Sequence, residues 1–525
     1  MSRISLLLTR SILAIAASVI VTSAVSAAPS EQSIKQSMLR TLEVFQVPGM
    51  AVSVVYDGKI YFSGGAGILE TGRDGTVDDQ TLFQIGSVSK AFTAATLALL
   101  ADEGKLSFDD RVIDYLPEFR MYDAWVTREF TIRDLLTHRS GLPIGAGDLL
   151  MFPEGKTTRE EVINAMRYLK PSSSFRYHFD YDNMLYIIAG EVVARVSGLS
   201  FEDFLEQRLL APLGMHDCSA TLDRAAAQAS KATPHVLIDG ELQTTRSGVT
   251  SLISAAGGIN CSARSMTHWM SFVLNKGLTA DGVQLISAAQ FEQLLSPVTI
   301  LPTSPEMAEY TGAYLSAYAL GWGISTFYGQ PMVSHSGGVW GMTTYLMLLP
   351  KLGLAIFASG NQMSPAPLAI ASDIADQFLA GTTPYAGKDW IAILSGISQG
   401  RKDEAAKAVV AAAESRAVNS KPSLPLEAYA GTYRDDWYGD IHIELDKAGN
   451  LRFRSDRNEP LNGPLEHFQY DTFIVHWTDR KLQADAYVSF SLSPEGKVER
   501  IRMKAVSPAT DFSFDFHDLD LKRVE

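Results

Sequence analysis

The sequence predicts a mixed α/β fold: an antiparallel sheet flanked by helices and carrying a helical insert, followed by a small all-β barrel. Three observations predict it. β-rich runs stand at both ends of the first part of the chain, with mainly helical text between them. Strands and helices do not alternate there, so a doubly wound parallel sheet is not expected. The final stretch alternates apolar and polar residues, with turns about every ten positions.

The elements follow in chain order. Arg3 and Arg10 precede an apolar run from Ile12 to about Val21, and small residues at Val25-Ser26-Ala27-Ala28 lead into Pro29. This is the pattern of a secretory signal, assigned to residues 1–27, so a periplasmic or secreted protein is expected. The run is short for a membrane span. No comparable run follows it, so no integral membrane segment is expected after cleavage. Next, "MAVSVVYDGKIYFSGGAG" reads as a hairpin turned at Asp57-Gly58. "FQIGSVSKAFTAATLALLADEGKL" reads as a helix with Val88, Phe92, Ala95, Leu99 and Leu100 on one stripe and Gly104 as its stop. From about Arg111 to Ser296 the text is mainly helical. "MVSHSGGVWG", "MTTYLMLLP" and "LAIFASGN" return to strands, and "PLAIASDIADQFLAG" reads as a helix packed on them. The first domain is assigned to residues 28–383, a helical linker to 384–425 and the barrel to 426–525.

Composition excludes some function classes. The 525 residues carry a formal net charge of −14. Removing the signal takes away two Arg and no acid, leaving about −16, a poor surface for nucleic acid. His-Glu-x-x-His is absent, and Cys218 and Cys261 have no Cys or His partner at zinc-finger spacing, so neither metal nor cofactor is expected. The two cysteines either pair, as an exported protein allows, or stay buried as free thiols.

The chemistry is read at Ser87 and Lys90. On a helix, residues three apart share a face. A serine hydroxyl becomes a nucleophile when a neighbouring base takes its proton, and a lysine amine can be that base if burial depresses its pKa. Ser87 also suits a helix cap, so the motif alone leaves both readings open. Lys90 is, however, the only lysine preceded three positions earlier by serine. Tyr181-Asp182-Asn183 is the only Tyr-x-Asn, and His335-Ser336-Gly337 the only His-x-Gly.

The order Ser-x-x-Lys, Tyr-x-Asn, His-x-Gly resembles the serine β-lactamase and penicillin-binding-protein superfamily, in its class C-like branch. "FQIGSVSKAFTA", "TIRDLLTHRSGL", "FDYDNMLYIIAGEVVARVSG", "AAGGINCSARSMTHWM" and "HSGGVWGMTTYLMLLPKLGLAIFASGN" match its landmarks in order, over about residues 31–380. The tail resembles the lipocalin-like domain appended to such hydrolases. The resemblance implies that Ser87 is acylated, Lys90 removes its proton, and Tyr181 protonates the leaving group. Asn183 would bond Lys90 and substrate, and His335 would contact Tyr181 or the substrate's carboxylate side. The N–H groups of Ser87 and Gly338 would form an oxyanion hole. Ser336 and Gly338 would contact substrate, and Gly337 would let it approach the strand. His138 reads as structural. Two departures stand out. His335 replaces the lysine of true β-lactamases, which points toward esterases and peptidases, and Pro171-Ser172-Ser173-Ser174 replaces Pro-Gly.

The expected activity is an exported serine hydrolase cutting peptide or amide bonds, possible substrates being D-residue peptides or modified ones such as linearised microcystin. A carboxylesterase or weak β-lactamase is the alternative, and a non-catalytic penicillin- or peptidoglycan-binding protein a third reading. A small peptide or ester substrate is the expected partner; oligomeric state is not legible. The single Gly-x-Ser-x-Gly, at Gly396–Gly400, reads as a linker turn rather than the nucleophile elbow of an α/β-hydrolase.

Overall fold

The computed structural model describes residues 28–524; the expected signal segment lies outside the described residues. Eight strands, each antiparallel to its neighbours, form the central sheet. Their order is Lys59–Gly67, Gly49–Tyr56, Leu354–Gly360, Met342–Leu349, Gln330–Val339, Gly323–Phe327, Ser316–Tyr318 and Thr299–Leu301. The predicted hairpin turns at Asp57 and Gly58, both with positive φ, as a two-residue turn between right-twisted strands requires. Both faces are covered, so strand residues alternate between two cores. In Leu354–Gly360, Ile356 and Ala358 face one cluster, and Ala355 and Phe357 the other.

The helices Glu31–Phe45 and Ala366–Leu379 cover the first face through Ile34, Met38, Ile370 and Ile374. The first of these was not read from the sequence. On the opposite face lies Ser89–Asp102, where every residue from Ser89 to Leu100 is buried. An amphipathic stripe was expected, but a helix enclosed on all sides has no solvent face to spare. Phe92 stacks on Trp269 at 3.9 Å. The span expected to be mainly helical also holds strands. His235–Ile238 and Glu241–Thr244 form a hairpin, and Asn260–Ser262 pairs with Leu82–Gln84. "TIRDLLTHRSGL" contains a single turn of helix, Ile132–Leu135, closed by a capping box at Thr131.

Cys218 and Cys261 are joined in a disulfide, which settles the pairing left open by the sequence. The bond anchors the short strand on which the Ser87 turn hangs: Phe83 pairs with Cys261, and Ile85 N–H donates to Ile259 O at 2.9 Å.

The helix Trp390–Glu414 follows the first domain, and Gly396–Gly400 lies within it. Ser398 is therefore neither in a turn nor on an elbow. Glycine is tolerated where long charged side chains and Ala supply the helix propensity. Beyond it, eight strands from Gly431–Asp435 to Leu521–Arg523 close into a barrel, the last pairing with the first through Tyr433 and Arg523. The barrel packs directly on the first domain. Asn458 Nδ2 donates to Pro153 O at 2.5 Å, and Phe514 meets Phe152 at 5.1 Å between ring centroids.

Strand Gln330–Val339 presses against the turn Gly86–Val88, and two glycines permit it. Gly86 has φ +53°, and a Cβ there would sit 2.6 Å from Gly338 N; a Cβ on Gly337 would sit 2.0 Å from Ile85 O. Gly338, by contrast, has nothing within 4 Å of an added Cβ.

Three variants test these constraints on stability. Gly337→Ala should lose about 3 kcal/mol or more in urea unfolding, because backbone oxygen cannot yield to a methyl group. Gly338→Ala should lose under about 1 kcal/mol. The double variant Cys218→Ser/Cys261→Ser releases a loop with a sequence separation of 43. It should lose up to about 4 kcal/mol in the same measurement, by the loop-entropy account.

Candidate active site

Lys90 is the centre of the site. Its Nζ donates to Ser87 Oγ at 3.0 Å, Asn183 Oδ1 at 2.7 Å and the Ala256 carbonyl at 2.8 Å. Three separate elements supply these acceptors. Ser87 lies in the 3₁₀ turn Gly86–Val88, Asn183 begins the helix Asn183–Ser197, and Ala256 belongs to the wide turn Ser254–Gly258. No side chain caps the Ser89–Asp102 helix, so the hydroxyl of Ser87 is not used as a cap. Burial in that enclosed helix pulls the Lys90 pKa down to about 7, with the Asp148 carboxylate pulling the other way.

Tyr181 lies across the amine, its ring centroid 4.8 Å from Lys90 Nζ. Burial holds its phenol well above the ordinary tyrosine pKa, with the Ser87 hydroxyl beside it lowering it. The ring of His138 lies 4.1 Å behind it. His138 Nδ1 accepts from Asp182 N–H at 3.0 Å, and burial keeps the imidazole neutral. It thus backs the tyrosine rather than touching the nucleophile.

Asn183 extends the network. Its Nδ2 donates to Asp148 Oδ2 at 2.9 Å, and Ser513 Oγ donates to the same oxygen at 2.9 Å. Burial raises Asp148 to about 7, against the lowering by these two hydrogen bonds and by Lys90.

His335 does not take the place expected for it. Its Nε2 bonds the Tyr318 hydroxyl at 2.8 Å, and its Nδ1 faces its neighbour's carbonyl, Ser336 O, at 2.5 Å. The reason is strand alternation. In Gln330–Val339, Ser336 and Gly338 are exposed toward the cleft, whereas His335 and Gly337 are buried beneath it. Desolvation lowers the His335 pKa to about 3, so it carries no charge toward substrate. The missing side chain of Gly337 makes room for the Ser87 turn, since an added Cβ would sit 2.0 Å from Ile85 O.

A cavity of about 360 Å³ opens over Ser87. Tyr181, Asn183, Ser336 and Gly338 line it with Ser87, and its walls are apolar: Ile144, Met151, Phe152, Val249, Trp340 and Phe512. Asp511 is the one charged residue of the lining, and no Lys or Arg is part of it. Asp148, Tyr318, Trp340 and the loop Asp511–Ser513 were missed by sequence reasoning. Among described residues no cluster of His, Cys, Asp and Glu could hold a metal ion, and no single helix is long and apolar enough to cross a membrane.

Known proteins share the family and the fold. Residues 39–380 match the beta-lactamase family, and residues 415–523 match a domain of unknown function, DUF3471. Unguisins hydrolase ungD' of Aspergillus campestris (strain IBT 28561) is 26% identical, over 89% of this chain and 88% of that one. Penicillin-binding protein 4 of Amycolatopsis lactamdurans is 31% identical, over 60% of this chain and 81% of its own. Among solved structures, the octameric penicillin-binding protein homologue from Pyrococcus abyssi superimposes with a TM-score of 0.59 at 20% identity, covering 94% of this chain and 99% of that one. A D-stereospecific amidohydrolase from Streptomyces sp. gives 0.52 at 21% identity, over 63% of this chain and 94% of its own. The chain belongs to the beta-lactamase family and is a serine hydrolase related to the penicillin-binding proteins.

Proposed function

We propose that this serine hydrolase cleaves amide bonds in uncharged, largely apolar peptides through an acyl-enzyme on Ser87. The observation that carries the proposal is a serine hydroxyl 3.0 Å from a buried, readily deprotonated lysine amine at the floor of an apolar cavity. A neutral amine keeps two donors and one lone pair. Asn183 Oδ1 and Ala256 O take the donors, which turns the lone pair toward the Ser87 hydroxyl.

The steps then follow. Ser87 gives its proton to Lys90 Nζ as Oγ attacks the substrate carbonyl carbon. The N–H groups of Ser87 and Gly338, brought together by the glycine contact, receive the oxyanion. Tyr181, kept as a phenol, gives its proton to the leaving nitrogen and is reprotonated from Lys90. Water hydrolyses the acyl ester by the reverse path.

The lining argues about substrate class. With no Lys or Arg in the wall and Asp511 in it, a free carboxylate beside the scissile bond has no cationic partner there. This disfavours β-lactams and C-terminal carboxypeptide substrates and favours internal amides. The same observation suits neutral esters, so carboxylesterase activity is the second reading. A relative matched over 88% of its length is named an unguisins hydrolase, and a fold neighbour a D-stereospecific amidohydrolase. D- and L-aminoacyl amides, linearised microcystin, a neutral p-nitrophenyl ester and nitrocefin make up the discriminating panel. We also propose export. The disulfide between Cys218 and Cys261 and the signal-like start support an oxidising compartment. Fractionation of expressing cells, with the mature N-terminus read by mass, tests it.

Ser87→Ala should abolish turnover and the covalent adduct seen by intact mass; an adduct persisting in that variant would refute the assignment. In the wild-type protein, kcat/KM should fall as pH drops through about 7, because protonated Lys90 has no lone pair for the Ser87 proton. His335, neutral down to about 3, cannot produce that limb. Phe512→Ala should widen the cavity and relax selectivity, raising kcat/KM for bulky acyl groups on the order of ten-fold relative to small ones. Competition between the two substrates measures it.

A further inference from the structure

The C-terminal barrel sends the loop between its last two strands, Val498–Ala505 and Leu521–Arg523, into the site of the other domain. Two contacts fix it there. Asp515 accepts Gly147 N–H at 2.7 Å and Leu149 N–H at 2.9 Å, so one buried carboxylate clamps the main chain on both sides of Asp148. Ser513 then donates to the Asp148 side chain at 2.9 Å. From Asp148 the path continues through Asn183 Nδ2 at 2.9 Å and Asn183 Oδ1 to Lys90 Nζ at 2.7 Å.

We propose that the barrel is part of the acid–base apparatus: Ser513 and Asp148 are positioning residues that act on Lys90 through Asn183. The inference rests on the reading of Lys90 as the base for Ser87. None of these hydrogen bonds is exposed, and each group has few alternatives. Asp148 Oδ1 has no partner, so its carboxylate is held only through Oδ2. Asn183 is a two-ended amide whose oxygen must face the amine while its NH₂ faces an acceptor. Lys90 requires the oxygen at one end and Asp148 receives the NH₂ at the other, so the two together hold a single orientation of the amide. The barrel, by holding Asp148, thus reinforces the direction in which Asn183 presents its oxygen to Lys90.

The path has a consequence for titration. The groups facing Lys90 are Asp148, Tyr181 and Tyr186, with His138 and His335 behind them. The groups facing Asp148 are Lys90, Tyr181, Asp182 and, from the barrel loop, Asp511 and Asp515. Ionised Asp148 favours the protonated amine. Removing the Ser513 hydroxyl takes a donor from the carboxylate and raises the Asp148 pKa. Asp148 is then neutral over more of the range, and Lys90 releases its proton at lower pH.

The test is the pH profile of kcat/KM for a neutral p-nitrophenyl ester, measured on the full chain. Ser513→Ala and Asp148→Asn are compared with Ser87→Ala, and thermal melts verify folding. Ser513→Ala should lower the plateau on the order of ten-fold, the worth of one hydrogen bond to a charged group. It should also move the acid limb down by about half a pH unit, and Asp148→Asn should move it further. An unmoved limb in folded Ser513→Ala overturns the proposal, whether the plateau drops or only KM rises; those results assign Ser513 to packing or to substrate contact. If Asp148→Asn fails to fold, Ser513→Ala decides alone. Residual turnover in Ser87→Ala would instead bring down the underlying reading of Ser87 and Lys90.

Discussion

The structure is organised around one costly placement, an amine at the start of a helix with no exposed face. A lone ammonium in such a setting is strongly unfavourable unless it is paired or neutralised. Here both remedies operate. Three acceptors from three separate elements converge on Lys90, and burial lowers its pKa to about 7. The turn carrying Ser87, the helix beginning at Asn183 and the carbonyl of Ala256 must therefore hold fixed mutual positions. Much of the surrounding architecture serves to hold them. The disulfide steadies the strand behind the Ser87 turn, and Trp269 packs on Phe92, two residues beyond Lys90.

A second constraint is the close approach of the strand Gln330–Val339 to the Ser87 turn. It needs two positions without a side chain, and it determines which residues can face the cleft. Once Gly337 points at Ile85, the period of two forces His335 to the same buried face and leaves Ser336 and Gly338 open. His335 is consequently a neutral partner of Tyr318, not a cation above the substrate. With no lysine in the third motif and no Lys or Arg in the lining, the cleft wall offers no cation to a substrate carboxylate. The proposed preference for neutral substrates thus rests on the strand's register as well as on residue type.

Legibility in the sequence followed the distance over which each feature is encoded. The hairpin at Asp57-Gly58, the enclosed helix and the final barrel are local patterns, and they were readable. Ser87, Lys90, Tyr181 and Asn183 were found because each motif is short and occurs once. The face on which His335 lies is also a local matter, but choosing it required knowing that Gly337 abuts Ile85, 252 positions earlier by numbering. The Gly-x-Ser-x-Gly around Ser398 failed in the opposite direction: it carries a turn signature, yet its Ala- and charge-rich surroundings impose a helix. Asp148 had no signal, since a single acid in a loop is usually solvated. Ser513, 365 positions from its partner, had none either.

That long-range contact explains why the two domains should stay together in one chain. The first domain already contains the serine, the lysine, the tyrosine and the main-chain N–H groups of Ser87 and Gly338. What it does not contain is a complete environment for Asp148. A buried carboxylate with Asn183 as its only donor would be poorly satisfied, and access of water would remove the desolvation that keeps it and Lys90 near neutrality together. The barrel loop supplies the missing donor through Ser513, clamps the main chain through Asp515 and covers the site with Phe512. Of these residues Phe512 and Ser513 also line the cavity, so the loop that is proposed to position Asp148 is at the same time a wall for substrate.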